Sequence, residues 1–217
     1  MSGLTGSTPI LNQWREKLLK RPSPSPKPTL IDIPKLAPQH IQNCRLLVSR
    51  EELLNILPKN SICAEIGILE GYFSEEILKS VQPKKFHLIE INEFFVNDVM
   101  ERLKPLAQPG QIIPHVGNSY DLLEEFEDNY FDWIYIDGNH TYEYVKKELL
   151  VAKRKVKTEG LILLNDYLLY DHINKYRMGV IDATNEFCLE HEYELVYLAF
   201  HPQMYSDVAL RKRGVAI

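Results

Sequence analysis

Cysteine is scarce in this chain. Cys44, Cys63 and Cys188 are the only three in 217 residues, too few and too scattered for a disulfide framework or a C-x-x-C metal site, and they read as reduced, mostly buried thiols. No charge of one sign prevails: 25 Lys and Arg against 30 Asp and Glu leave a formal charge of −5. That balance offers no global field to draw in nucleic acid or anionic lipid. Long apolar runs are also missing, since the purest, Leu161-Ile-Leu-Leu164, falls far short of a membrane span. The opening residues Met1 to Pro9 have neither the basic stretch nor the apolar stretch of a secretory signal. The expectation is a soluble protein of the reducing cytoplasm, with neither a membrane nor nucleic acid as partner. With 45% hydrophobic residues, there is enough apolar mass for one sizeable core.

Proline is unevenly spread. Seven of the 13 prolines fall within the first 38 residues, and Pro22-Ser-Pro-Ser-Pro-Lys-Pro28 cannot supply helix or ladder hydrogen bonds. This stretch is expected to be extended and solvated. Ahead of it Ile10, Leu11, Trp14, Leu18 and Leu19 recur at helical spacing. Such a helix would dock on the main body or on a second copy of the chain, Trp14 suggesting a homodimer contact; a frayed arm is the alternative. The division is a Pro-rich arm over 1–40 and a folded domain over 41–217.

From residue 61 onward, short apolar runs alternate with longer segments of 3.6-residue period, the pattern of a parallel sheet wrapped by helices. Strands are predicted at Ser61-Ile66, Lys85-Ile91, Gln111-Val116, Asp132-Ile136 and Leu161-Leu164. Helical faces are read in Phe73, Ile77 and Val81, in Phe95, Val99 and Leu103, and in Val145, Leu149, Ala152 and Val156. An irregular stretch over 167–179 precedes a helix over 180–190 and strands at Glu194-Phe200 and Asp207-Arg211. The short loop between these last two forces them antiparallel. Ser49 and Glu52 read as the capping box of a further helix ahead of the first strand. The fold class is α/β, a Rossmann-like three-layer sandwich around a mostly parallel seven-stranded sheet that ends in an antiparallel pair.

Three strand ends carry ligand-compatible chemistry. Glu65-Ile-Gly67-Ile-Leu-Glu-Gly71 closes a buried strand with two glycines just before a helix, so backbone can approach a ligand closely. It is neither G-x-G-x-x-G nor a G-x-x-x-x-G-K-[ST] phosphate loop. Glu90, 25 residues beyond Glu65, can accept both hydroxyl hydrogens of a ribose. Gly117-Asn118-Ser119 ends the third strand with small polar groups suited to an adenine edge.

The fourth strand ends Tyr135-Ile-Asp137-Gly-Asn-His140-Thr-Tyr142, placing a carboxylate and a titratable base over one crevice. The fifth ends Asn165-Asp166-Tyr167. Asp137, Asn165 and Asp166 offer three hard oxygen donors carrying a charge of −2, suited to Mg²⁺ or Ca²⁺. Taken singly, each has an ordinary structural reading: a cap for Asp137, a surface loop for His140, a turn for Asn165-Asp166.

From Arg50 to Arg211 these residues resemble the class I S-adenosylmethionine-dependent methyltransferases, and within them the metal-assisted O-methyltransferases that act on catechols and macrolide sugars. The Asp-Gly-x-His-x-Tyr element is the most specific part of the likeness. The resemblance implies that Glu65, Gly67 and Gly71 line the methionine portion of S-adenosyl-L-methionine, that Glu90 binds its ribose and that Asn118 and Ser119 flank its adenine. It further implies that Asp137, also beside the cofactor, holds Mg²⁺ or another divalent cation with Asn165 and Asp166, and that His140 is the catalytic base. Asn165 departs from the family, whose sugar-modifying members have paired aspartates there, and the metal requirement stays open at this point. The stretch Tyr167 to Gly179 reads as a substrate wall or lid. Tyr142, Tyr167, His172 and Arg177 are the residues expected to face the acceptor, a hydroxyl of a small molecule or sugar.

Three other readings compete. A nicotinamide oxidoreductase also needs an acid after its second strand but lacks support from the missing third glycine and the antiparallel pair. A nucleic-acid methylase could use the basic residues Lys146, Lys147, Lys153, Arg154, Lys155 and Lys157 and the tail Arg211-Lys-Arg213 as phosphate contacts, yet no Asn-Pro-Pro-Tyr-like element ends the fourth strand. A non-catalytic S-adenosylmethionine-binding protein is the third.

Overall fold

In Trp133-Ile-Tyr-Ile136 every second side chain faces the same way: Trp133 and Tyr135 enter one core cluster, Ile134 and Ile136 the other. That period of two, repeated along each central strand, gives the sheet two apolar faces, both of which must be covered. The computed structural model describes residues 33–215. The predicted helix over 10–20 and the proline alternation over 22–28 lie outside the described residues.

The elements run β1 (Arg45–Leu47), α1 (Arg50–Ile56), β2 (Ile62–Ile66), α2 (Tyr72–Val81), β3 (Lys85–Glu90), α3 (Glu93–Leu103), β4 (Ile112–Val116), α4 (Ser119–Glu124) and β5 (Phe131–Ile136). They continue with α5 (Tyr142–Lys155), β6 (Val156–Leu164), β7 (Tyr170–Asp171), β8 (Tyr176–Arg177), α6 (Val180–His191), β9 (Tyr193–Phe200) and β10 (Ser206–Lys212). The main sheet has eight strands in the order β1-β9-β10-β6-β5-β2-β3-β4. The β6-β5-β2-β3-β4 block is parallel, and β10 is antiparallel to both β6 and β9. Leu53, Ile77 and Val99 bring α1, α2 and α3 onto one face, while Leu123, Leu149 and Phe187 bring α4, α5 and α6 onto the other. No helix among the described residues is long and apolar enough to cross a membrane. All three cysteines are free thiols.

Four details differ from the sequence reading. The sheet has eight strands rather than seven, because Arg45–Leu47, too short and too exposed to show a period, pairs in parallel with β9. Val156 is not a helix residue: it turns to extended backbone and opens β6, which reaches Leu161 through a register shift around Gly160, where a side chain would strike the Asp132 carbonyl. The Ser49 hydroxyl does cap α1, accepting from the Glu52 amide at 3.3 Å, but Glu52 returns its carboxylate to Val48 N–H at 2.8 Å instead of to Ser49. The stretch 167–179 contains the small β7-β8 hairpin. Asp171 shapes its turn by accepting from the amides of Ile173 and Asn174, each at 2.8 Å; these bonds hold its carboxyl down at about 2.

Residues from Ile33 onward form one compact unit. The stretch before residue 41 contributes to it: His40 is buried, Leu36 packs on the core and the Asn185 side chain donates to the Pro34 carbonyl at 2.8 Å.

The chain leaves β2 towards β3 and β4 on one side and returns to β5 on the other, so two loops diverge above the carboxyl ends of β2 and β5. A reversal of this kind opens a crevice at the sheet edge.

Candidate active site

A cavity of about 560 Å³ lies in that crevice. Its walls are the strand-end loops: Gly67 and Leu69 after β2, Glu90 and Ile91 after β3, Gly117 to Ser119 after β4, and Asp137 to Thr141 after β5, with Tyr144, Glu148 and Tyr176 closing it. Five sequence-separated segments thus meet around one space.

Two glycines permit the loop after β2. At Gly67, φ is +78°, and an added Cβ would collide with the Asp137 carbonyl and lie 2.7 Å from Gly138 Cα, so only glycine lets the β2 and β5 loops cross this closely. Gly71, at φ +65°, caps α2 and packs against Val99. It shapes the loop and is not part of the cavity wall. Glu90 ties loop to loop, accepting from Ile68 N–H at 3.1 Å through one oxygen and from Asn92 N–H at 2.9 Å through the other. Both oxygens keep a second acceptor position.

Below the cavity sits a row of polar groups. The registers Glu65 opposite Tyr135, Tyr135 opposite Leu163 and Ala209 opposite Leu163 put Glu65, Tyr135, Asn165 and Asp207 on one face of the sheet. Tyr135 donates to Asp207 at 2.7 Å, and the Asn165 amide donates to Asp207 at 3.1 Å and to the Tyr135 oxygen at 3.4 Å. Arg50, from the first turn of α1, lies over this row. Its Nε is 3.2 Å from Asp207, its Nη2 donates to the Tyr135 hydroxyl and stands 3.8 Å from Asp137, and the guanidinium stacks on Phe73 with Cζ 3.8 Å from the ring centre. Glu65 is buried and accepts from the Ser74 hydroxyl at 2.5 Å. Burial pushes its carboxyl up to about 8, with Asp137 adding to the rise.

His140 is the only nitrogen base in the cavity wall among the described residues. Its Nε2 is 3.5 Å from Asp137 and 4.0 Å from Asp166, and it is buried without a hydrogen-bond partner. Burial alone would lower its pKa; the two carboxylates outweigh that and raise it. Its backbone carbonyl accepts from Gly179 N–H at 2.8 Å, pinning the loop to the start of α6. Asp166 has φ +54°, an uncommon backbone for a non-glycine residue and a form of local strain typical of functional sites. Burial pushes its carboxyl up to about 7.

The predicted residues therefore divide. Gly67, Glu90, Asn118, Ser119, Asp137 and His140 line the cavity, while Glu65, Asn165 and Asp166 stand behind it. The expected acceptor-facing residues Tyr142, Tyr167, His172 and Arg177 do not line it. Tyr142 donates to Glu186 of α6 and accepts from Lys146 of its own helix, Tyr167 donates to Asn185 at 2.6 Å, His172 packs on Tyr205, and Arg177 pairs with Asp182 at 2.9 Å. Each is satisfied elsewhere by a partner the chain pattern does not reveal. Tyr176, from the same stretch, does reach the wall.

Sequence reasoning passed over Arg50, Tyr135, Asp207 and Glu148. Only the last left a signal, since spacing from Val145, Leu149 and Ala152 places Glu148 on the apolar face of α5. It is buried, accepts from Ser119 through one oxygen and leaves the other unpartnered; burial pushes it up to about 7.

Residues 64–167 match the family model described as a methyltransferase domain. Solved structures of methyltransferases share the fold of this chain. The O-methyltransferase TomG from Streptomyces achromogenes, solved in complex with SAM, superposes with TM-score 0.57 at 18% identity, over 75% of this chain and 79% of its own. A SAM-dependent methyltransferase from Aquifex aeolicus gives 0.58 at 17%, over 76% and 89%. The O-methyltransferase from Bacillus cereus, in complex with SAH, gives 0.57 at 14%, over 75% and 78%. Among curated protein sequences nothing matches the chain. The matched residues 64–167 contain the strand ends from β2 to β6, including every loop wall of the cavity except Tyr176.

Proposed function

We propose that this protein is an S-adenosylmethionine-dependent O-methyltransferase acting on a hydroxyl of a small molecule or sugar, with His140 as general base. The observation that carries the reading is the imidazole Nε2 of His140, buried in the cavity wall without a partner of its own and held beside two carboxylates.

The donor set suits the cofactor. Glu90 would hold the ribose hydroxyls with its remaining acceptor positions, and Ser119 and Asn118 would flank the adenine against the apolar side chains of Leu69 and Ile91. Asp137 would face the methionine ammonium with Glu65 buried behind it, and a cation there favours the ionised form of Glu65. S-adenosylmethionine, when bound, supplies an electrophilic methyl group on a sulfonium, which passes to the acceptor oxygen and leaves S-adenosylhomocysteine. His140 accepts the proton that the hydroxyl loses, and Asp137 and Asp166 stabilise the imidazolium that results. Burial of the site and fixed charges replace water around the reacting groups, so positioning and electrostatics supply most of the acceleration. Tyr176 and the β7-β8 hairpin would bound the acceptor.

A divalent ion fits these residues poorly. The Asn165 amide nitrogen is turned to Asp207 and Tyr135, His140 stands between Asp137 and Asp166, and a guanidinium already faces Asp137. Among the described residues no group of three or more His, Cys, Asp or Glu is arranged to hold a metal. No step of the proposed mechanism runs through one.

The test has two parts. S-adenosylhomocysteine should raise the melting temperature of the wild type and of His140→Ala alike, whereas NAD should not. Methyl transfer from labelled S-adenosylmethionine to a panel of catechols, phenols and sugar diols should fall by about 10²–10⁴-fold in His140→Ala. Undiminished transfer would remove His140 from the mechanism, and stabilisation by NAD in place of the homocysteine would return the oxidoreductase reading.

A further inference from the structure

We infer that Arg50 is the built-in cation of this site, its guanidinium holding Asp137 and the Tyr135–Asp207–Asn165 network where related chemistry would use a divalent ion. The inference rests on the methyltransferase reading for its meaning, but its geometry stands independently.

Helix α1 belongs to the segment ahead of the matched domain, and it carries one charged side chain inward. Leu53 and Leu54, each 1% exposed, fix the helix on the sheet face that bears Tyr135 and Asp207. Arg50 then reaches three oxygen-bearing groups at two strands, β5 and β10: Asp207 at 3.2 Å, the Tyr135 hydroxyl, and Asp137 at 3.8 Å. Its flat face rests on Phe73, a residue of α2. A planar fork that stacks and binds oxygens at its edge is what a guanidinium provides and an ammonium or a metal does not.

The same position explains why the oxygen donors are not free. Asp207 is 3% exposed, and a buried carboxylate without a counter-charge is costly. Arg50 supplies that charge, and Asn165 and Tyr135 fill the remaining acceptor positions of Asp207. A divalent ion needs carboxylate oxygens at about 2.0–2.6 Å. Bound by Asp137 and Asp166, it would meet the imidazole between them and the guanidinium beside them. Arg50 touches no reacting atom in this arrangement. It is a positioning residue, acting through Asp137.

Manganese titration followed by electron paramagnetic resonance tests the assignment on the full chain. The wild type, with and without S-adenosylhomocysteine, should leave added Mn²⁺ free. Arg50→Gln removes the charge but keeps a polar side chain, and it should take up Mn²⁺ at least about tenfold more tightly than the wild type, because the carboxylates are uncompensated. Arg50→Lys restores a cation and should stay as silent as the wild type. One Mn²⁺ per wild-type chain, lost in Asp137→Asn, would overturn the inference. So would an Arg50→Gln chain that melts cooperatively yet takes up no manganese. Should Arg50→Gln fail to fold, the wild type and Arg50→Lys still give the answer: silence in both supports the inference, and uptake by the wild type refutes it. A wild type that ignores S-adenosylhomocysteine would refute the proposed function and leave the manganese result standing.

Discussion

Replacing Glu65 by glutamine should flatten the pH dependence of stability of the ligand-free protein. Glu65 is 1% exposed and sits on the sheet face under Arg50, with the Ser74 hydroxyl as its hydrogen-bond donor. Burial moves its pKa from 4.5 to about 8 in the folded chain. Below 4.5 the carboxyl is neutral in both folded and unfolded states, so its contribution is fully present. As pH rises above 4.5 the unfolded chain ionises and the folded chain resists, so stability falls until the folded carboxyl also ionises near 8. Each unit in that window costs about 1.4 kcal/mol, or roughly 2.7 kcal/mol between pH 5 and 7. For a domain of this size that corresponds to a loss of roughly 5–10 °C in melting temperature. Glutamine keeps the oxygen that accepts from Ser74 and has no proton to lose. Thermal melts of wild type and Glu65→Gln from pH 5 to 8 should therefore converge or cross as pH rises, the wild type dropping faster. Parallel curves would show that Glu65 is ionised in the folded protein and would remove the argument from burial.

Other outcomes follow from the geometry. Gly67→Ala should abolish soluble expression or lower the unfolding free energy from urea denaturation by more than about 3 kcal/mol, because its Cβ would strike the backbone of Asp137 in a chain already at φ +78°; a near-normal midpoint would mean that the two loops do not cross as described. Ser49→Ala should cost about 1 kcal/mol in urea denaturation through loss of the α1 cap, with no change in m-value. A cost of zero would place the cap in solvent.

Much of the architecture is legible in the chain because it follows from local rules. Short apolar runs such as Cys63-Ala-Glu-Ile66 and Trp133-Ile-Tyr-Ile136 mark strands covered on both faces, and the glycines after Ile66 mark where the backbone must cross. Glu90, Asn118, Asp137 and His140 follow from being the first polar groups beyond apolar strands, since the carboxyl edge of such a sheet is where those groups converge. The short β1 strand was not legible: three residues pairing at an edge leave no periodic trace. Nor was the acceptor wall, because whether Tyr142, Tyr167, His172 or Arg177 turns inward depends on Glu186, Asn185, Tyr205 and Asp182, each brought close only by folding.

The chain by itself determined the central strands, the helical faces and the row of strand-end residues around the crevice, since each depends on neighbours a few positions away. Only the tertiary structure decided that Arg50, Tyr135, Asn165 and Asp207 form one network. They lie on α1, β5, the end of β6 and β10, and nothing in their spacing relates them. Strand order and register bring them to one face of the sheet, and a buried carboxylate there must find its counter-charge from whatever helix packs above it. That requirement is electrostatic and three-dimensional, so it fixes the site's charge balance without leaving a motif.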